Sequence, residues 1–503
     1  MCDFNNLILK RYLDVSEANA TNIAFIIKEI SYTYSEFNQY ISNIIIALRK
    51  CNLSNTMVGL VANDDIYTYA SIFALWHEGL AYIPLHPMQP KTRCMDIVVQ
   101  VGIELIIDSS KDSRYDKEAI VLKPFGLKNK MSFKFLPKNV SDKNLAYILF
   151  TSGSTGKPKG VKLSRKNIAA FVSAFEKSGI DLSVKDRCLQ CFDLTFDVSV
   201  QLYLVPLLNG ASVYTLPVEC MKYAYAADLI ERHELTFAAM APSMVRFLKP
   251  YFGELNMTSL KYCILTAEAS HLSLIKEWSS CVKNAQLYDF YGPTEATIYC
   301  TFYKLPQNIA QIKNRNDVVF IGKPMDGVKA IIINQENELL INEVGELCIA
   351  GDQLTEGYWQ MPEKEEEVFF NKEINGKLYK FYRTGDLCKF DKDGDIEYIG
   401  RIDFQAKIQG YRVELGEIEC AISEVANKDT VALAIKDFNE DDFVVAFVES
   451  EMLDVLPILS YLKDRLPNYM IPRKIISLPQ FPLNNNGKID RKQLIEIYYN
   501  LKD

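Results

Sequence analysis

The apolar residues of this 503-residue chain follow two alternating rhythms. In MVGLVA from position 57, IELIIDS from 103 and AYILF from 146 they come in short unbroken runs, the pattern of strands covered on both faces. In TYSEFNQYISNIIIAL from 33 and NIAAFVSAFEK from 167 they recur three and four residues apart, which predicts helices with one buried face. YTYASIFALWHEGLAYIPL from 67 reads as helix and then strand, and YCILTAEAS from 262 as strand. Such alternation predicts an α/β fold.

The rhythm changes after about residue 320, where shorter strands such as VKAIIIN and GELCIAG come with more Gly and Asp. A smaller, barrel-like β unit is expected there, after two sheet-and-helix lobes. Near residue 400, GDIEYIGRIDFQAKIQGYRVE reads as a hinge followed by new strands, and VALAIKDF, FVVAFVES and a last helix give the final hundred residues an α+β pattern of their own. The chain is therefore divided into a core of residues 1–402 and a small mobile α+β domain of residues 403–503, hinged at Asp403.

Composition supports a large packed interior, with 49% hydrophobic and 12% aromatic residues. The 56 basic and 64 acidic residues are spread along the chain, and the net charge of -8 gives no electrostatic reason to expect nucleic acid. The acidic run from Glu363 to Glu367 reads as a solvated helical face. No stretch of 18 apolar residues occurs and the first residues lack the form of a secretory signal, so a cytoplasmic location is expected. Twelve scattered cysteines suggest reduced, buried thiols. Cys188 and Cys191 form a C-x-x-C with no second pair to complete a zinc site, and are expected to pack on a strand. With only four histidines, His77, His86, His233 and His271, a Ser-His-Asp hydrolase is disfavoured.

The densest chemistry lies in TSGSTGKPKG, residues 151–160, directly after the apolar run LAYILF. Glycines let backbone N–H groups turn inward, hydroxyls add donors, and Lys157 and Lys159 add positive charge, which together suit a polyphosphate. The loop is not the common G-x-x-x-x-G-K-[ST] type, since Thr151 stands five residues before Gly156 and Pro158 follows Lys157. A flexible Gly/Ser linker is the plainer reading, but linkers seldom carry two lysines and a proline and return at once to apolar sequence.

Further strings stand in order around this loop: TYSEF, EGLAYIPLHPMQP, FDVSV, YGPTEATI, GELCIAG, YRTGDL, GRIDFQAKIQGYRVELGEIE, LPNYMIP and NGKIDR. Together they resemble the adenylate-forming superfamily, and within it the amino-acid adenylation domains of nonribosomal peptide synthesis and the D-alanine–carrier protein ligases. The resemblance implies that ATP and an amino acid yield an aminoacyl-AMP and pyrophosphate, and that the aminoacyl group then passes to the phosphopantetheine thiol of a separate carrier protein. It assigns Glu295 to Mg2+, and Thr294 with Thr151, Ser152, Gly153, Ser154, Thr155, Gly156 and Lys157 to the phosphates. Asp386 becomes the ribose acceptor with Arg401 beside it, Tyr291 the adenine-stacking ring, and Asp289 its neighbour where many relatives have Asn. Lys488 would bridge the substrate carboxylate and ATP, so that its loss should cripple adenylation more than thioester transfer. Rotation at Asp403 would then withdraw it and present Gly410 to the pantetheine arm.

The same resemblance makes Asp197 the partner of an amino acid's α-ammonium, a group that fatty and aryl acids lack. A helix N-cap is the ordinary alternative for such an aspartate. The pocket would be lined by Val198, Gln201, Ala239, Leu265, Ala267, Phe290, Ile298 and Tyr299, mostly apolar and without a second charge, which predicts a small or medium apolar side chain. LTAEAS replaces a more usual pair of glycines, leaving the register around Leu265 to Ala269 open. Nothing after NGKIDR resembles a carrier domain, so a freestanding enzyme is expected. A D-alanine–carrier protein ligase and an acyl- or aryl-CoA ligase are the alternatives, the latter disfavoured by Asp197.

Overall fold

The computed structural model describes residues 3–117, 119–127, 136–152, 158–403, 405–436, 442–483 and 489–501. It is an α/β protein, as the alternation predicts, and it divides into two compact units. The first comprises Met1–Pro87, Val101–Leu149 and Gly160–Ile402, and the second Met88–Gln100, Phe150–Lys159 and Asp403–Asp503.

The first unit is built on two large sheets. A nine-stranded one runs Lys323–Pro324, Thr301–Lys304, Gln286–Tyr291, Tyr262–Thr266, Phe237–Met240, Arg187–Gln190, Ser212–Thr215, Ile23–Ile27 and Ile30–Thr33. Its central strands are parallel, with Met240 opposite Leu265 and Leu265 opposite Asp289. That register brings Ala239, Leu265 and Phe290 to the carboxyl ends of three neighbouring strands, where open α/β sheets bind their ligands. The second sheet has six strands, with Met57–Val61 parallel to Ala81–Leu85 near its middle.

Local sequence accounts for the helices around the sheets. Tyr34–Leu48 begins at Thr33, whose hydroxyl accepts the Glu36 N–H while the Glu36 carboxylate accepts the Thr33 N–H, a reciprocal cap. Val198–Leu208 is buried at every residue and mostly apolar, with Ser199 and Gln201 as its exceptions, which marks it as a core helix. The Glu-rich run lies on the exposed helix Pro362–Val368. Cys188 lies on the strand Arg187–Gln190 and Cys191 just beyond its end, both buried free thiols. The barrel-like part is an antiparallel five-stranded sheet in which Lys377–Phe390 is flanked by Gly345–Gly351, Phe369–Ile374 and Ile396–Arg401.

In the second unit the strands Ala406–Ile408 and Tyr411–Val413 form a hairpin whose turn residues Gln409 and Gly410 have φ of 52° and 82°. Two successive positive φ values make the turn that matches strand twist in a two-residue hairpin. A three-stranded sheet of Thr430–Lys436, Asp442–Glu449 and Lys474–Leu478 is accompanied by helices Leu415–Ala426, Val455–Arg465 and Arg491–Asn500. Among the described residues no helix is long and apolar enough to cross a membrane.

Candidate active site

Asp197 immediately precedes the buried helix Val198–Leu208, yet its side chain makes no capping hydrogen bond. It is 7% exposed, and its Oδ2 is buried without a hydrogen-bond partner. Burial pushes its carboxyl up to about 6, against hydrogen bonds from the Thr294 side chain and the backbone N–H groups of Val198 and Ile298, with the charge of Glu295 adding to the rise. A carboxylate half satisfied in a dry place calls for a cation or a donor from outside. Around it stand Tyr82, Tyr147 and Tyr299, whose phenols are raised first by burial and further by the Asp197 charge.

Of the other residues expected to line the pocket, Val198, Gln201, Ala239, Leu265, Phe290, Ile298 and Tyr299 are all buried. The Phe290 ring sits 4.9 Å from that of Tyr299 and 5.7 Å from that of Phe175. Because successive side chains of a strand point to opposite faces, Phe290 faces one way from Gln286–Tyr291 while Asp289 and Tyr291 face the other. Phe290 thus shares a face and a core cluster with Ala239, whereas Leu265, which lies opposite Asp289, packs in another cluster on the other face, so the structure does not bring Leu265 together with the rest of the expected lining. Ala267 has φ of 71°, a backbone that glycine adopts without strain, which is the physical sense of the glycines that LTAEAS lacks. Glu268 accepts hydrogen bonds from the backbone N–H and hydroxyl of Ser243 at 2.8 and 2.7 Å.

The turn after YGPTE is strained, since Thr297 and Ile298 have φ of 59° and 70°, rare for β-branched residues. Two contacts hold it there. Gly292 admits the turn closely, for a Cβ at that position would lie 2.6 Å from the Ile298 carbonyl oxygen. Gln353, 3% exposed, donates through Nε2 to the carbonyls of Ala296, Thr297 and Tyr299 at 3.3, 3.4 and 2.6 Å, and its own backbone carbonyl accepts from the Thr297 hydroxyl. No motif pointed to Gln353, because its role is visible only once the chain folds back on the turn. Gln353→Ala is expected to cost about 2 kcal/mol of stability, since buried carbonyls lose their donor, which thermal melting checks.

Acidic groups on the same unit form two further clusters. Glu295 is fully buried in the turn Thr294–Ala296, and its Oε1 accepts the Tyr358 hydroxyl at 2.8 Å. Asp386, 5% exposed on Lys377–Phe390, lies opposite Arg401 across the sheet. Its Oδ1 accepts Arg401 Nη1 at 2.8 Å and its Oδ2 accepts the Tyr291 hydroxyl. Thr384 anchors the bend, accepting the Asp386 N–H at 3.0 Å and donating to the Leu347 carbonyl at 2.8 Å. Asp289 is 3% exposed.

Within the second unit, Thr151 donates to the Lys159 carbonyl at 3.4 Å. The Ser152 hydroxyl donates to the Arg412 carbonyl at 2.9 Å and accepts the Glu414 N–H at 3.0 Å. The expected phosphate contacts of Gly153, Ser154, Thr155, Gly156 and Lys157, and the expected role of Lys488, lie outside the described residues.

The chain matches the family described as AMP-binding enzyme over residues 14–359. It is similar to tyrocidine synthase 1 of Brevibacillus parabrevis, 32% identical over 495 residues, which are 96% of this chain and 44% of that protein. It is also similar to zwittermicin A synthase ZmaJ of Bacillus cereus, 32% identical over 492 residues, 94% of this chain and 91% of that one. The chain therefore spans less than half of the first relative and most of the second. Its fold is that of the Vibrio cholerae adenylation domain AlmE, solved with glycyl-adenosine-5'-phosphate, at a TM-score of 0.84 and 24% identity over 99% of this chain and 98% of that one.

Proposed function

The chain belongs to the AMP-binding enzyme family, and from that premise we propose that it is an amino-acid adenylating ligase that charges a carrier protein. A carboxylate oxygen of the amino acid attacks the α-phosphorus of ATP, the bond between the α- and β-phosphates breaks, and pyrophosphate leaves. A phosphopantetheine thiolate then attacks the acyl carbon of the adenylate and AMP leaves. The glycyl adenylate held by AlmE, whose fold this chain shares, favours an amino acid as the acid.

The observation that carries this reading is Asp197, buried, without a cap to make, and with one oxygen unpartnered. An α-ammonium supplies the missing charge and donor together, whereas a fatty or aryl acid would leave the carboxylate dry and alone. The remaining roles follow the chemistry of each group. Asp386 offers acceptor sites to the ribose diol, with Arg401 and Tyr291 fixing it, the ring of Tyr291 and the buried Asp289 lying on the nucleotide side. Glu295 suits Mg2+, which takes one or two carboxylates and completes its shell with phosphate oxygens; when bound, the ion neutralises charge on the phosphates. Thr294 lies close enough to Asp197 to lower its carboxyl, so it helps order the ammonium's partner as well as meeting a phosphate.

Lys488 and the loop Gly153–Lys157 are assigned by resemblance to charge neutralisation at the reacting phosphate. Gly410, at the apex of its hairpin turn, is assigned to the pantetheine step, after rotation at Asp403. The substrate is read as a small or medium amino acid without a charged side chain, because the lining offers no second charge.

The test is pyrophosphate release with ATP and Mg2+ across the proteinogenic amino acids, D-alanine, and fatty and aryl acids, with hydroxylamine trapping the adenylate. Selective release with one amino acid supports the ligase, and selection of D-alanine moves it to cell-wall chemistry. Release only with acids lacking an ammonium would replace it with a CoA ligase.

A further inference from the structure

Three glutamines are buried among the described residues, Gln190, Gln201 and Gln353. The amide nitrogens of two are engaged by the protein, although the Gln353 Oε1 is itself unpartnered. Gln190 Nε2 donates to the Phe192 carbonyl at 2.8 Å, and Gln353 Nε2 donates to three carbonyls. Gln201 differs, for it is 0% exposed and neither its Oε1 nor its Nε2 has a hydrogen-bond partner. It stands four residues after Asp197, at the spacing that puts two residues on the same face at the start of Val198–Leu208. The Tyr147 hydroxyl, also buried and unpartnered, belongs to a phenol that feels the Asp197 charge.

Unpaired polar atoms beside the carboxylate proposed to hold the α-ammonium mark a place where a ligand supplies the partners. Resting on the amino-acid ligase reading, we infer that the activated amino acid carries an uncharged side chain that both donates and accepts hydrogen bonds, a carboxamide or a hydroxyl, and that Gln201 selects it. A carboxamide meets both atoms of the Gln201 amide in one reciprocal pair, N–H to O and O to H–N. A hydroxyl meets one atom as donor or the other as acceptor. An aliphatic side chain would seal the amide dry, and a charged one would find no counter-charge. The apolar walls set size, while the one buried amide sets polarity, so the side chain is polar rather than apolar as the lining taken residue by residue predicts.

ATP–pyrophosphate exchange on the full chain, comparing each polar amino acid with the apolar one of like shape, asparagine with leucine and threonine with valine, tests this directly. The wild-type protein is expected to favour one polar member by about 10⁴-fold in kcat/KM, the order by which sites built around a hydrogen bond reject analogues that lack it. Gln201→Met, of similar length and without donors or acceptors, is expected to erase or reverse that preference. The ligand-free variant is also expected to melt higher than wild type, because an unsatisfied amide has been replaced by an apolar chain. A wild-type preference for leucine, valine or proline that survives in Gln201→Met would overturn the inference and leave the ligase reading standing. A lower melting temperature for the variant would count against it too, since it would mean that water or protein already satisfies the amide. Exchange that persists in Asp197→Ala, or that only acids without an ammonium support, would take away the ligase reading as well.

Discussion

Asp197→Ala is expected to lower amino-acid-dependent pyrophosphate exchange by two to four orders of magnitude while leaving KM for ATP near its wild-type value. Removing one member of a buried ion pair costs about 3–5 kcal/mol, because the other is left charged without a partner, and each 1.4 kcal/mol is about tenfold. The same carboxyl makes a second, opposite effect on stability. Its folded value of about 6 lies above the unfolded one of about 3.9. Between those values the native state holds a proton that the unfolded state has released. Stability therefore falls as pH rises from about 4 to about 6 and stays lowered above that, by about 3 kcal/mol for this group at about 1.4 kcal/mol per unit. Asp197→Asn is accordingly expected to melt higher than wild type at pH 7.5 and alike at pH 4.5.

Binding closes the cycle. An ammonium prefers the ionised carboxylate, so KM for the amino acid is expected to rise about tenfold per pH unit below 6 and to level off above it. Melting curves at the two pH values and a KM profile from pH 5 to 8 check the pair of effects. A flat profile, or full exchange activity in Asp197→Asn, would show that this carboxylate is not the ammonium's partner.

FDVSV and YGPTE pointed to candidate residues because each lies at the end of an element, where particular residue types are demanded. FDVSV places its aspartate just ahead of a buried helix, and YRTGD places its own opposite Arg401 across a sheet. Alternating apolar runs likewise disclosed the strands, since a strand covered on both faces leaves little room for polar residues. Contacts between distant segments were not legible. Gln353 reaches three carbonyls more than fifty residues away, and no local pattern encodes such a meeting. The positive φ of Thr297 and Ile298 was hidden for a related reason, because both residues ordinarily favour extended backbone. Gln201 was read as one polar member of an apolar lining, and only the count of its partners shows it unsatisfied.

Asp386 is the other position at which a single change is expected to act strongly, and its structural role is separable from the ribose-binding role proposed for it. Each carboxylate oxygen has two acceptor sites. Arg401 takes one on Oδ1 and the Tyr291 hydroxyl one on Oδ2, which leaves one acceptor site on each oxygen for the two ribose hydroxyls. Asp386→Ala takes the carboxylate from both Arg401 and the buried Tyr291, and is expected to cost about 3–5 kcal/mol of stability. Asp386→Asn keeps the shape but exchanges an acceptor oxygen for a donor nitrogen, so it is expected to fold with a smaller loss while KM for ATP rises about 10²-fold. The amino-acid KM should not move, because Asp197 and its neighbours are untouched. The sharper readout uses 2′- and 3′-deoxy ATP: wild type is expected to discriminate against both, and Asp386→Asn to lose most of that discrimination, since the acceptor that rewarded the missing hydroxyl has gone. If the variant binds ATP weakly yet discriminates among the sugars as wild type does, the carboxylate braces Arg401 and Tyr291, and the ribose is held by another group.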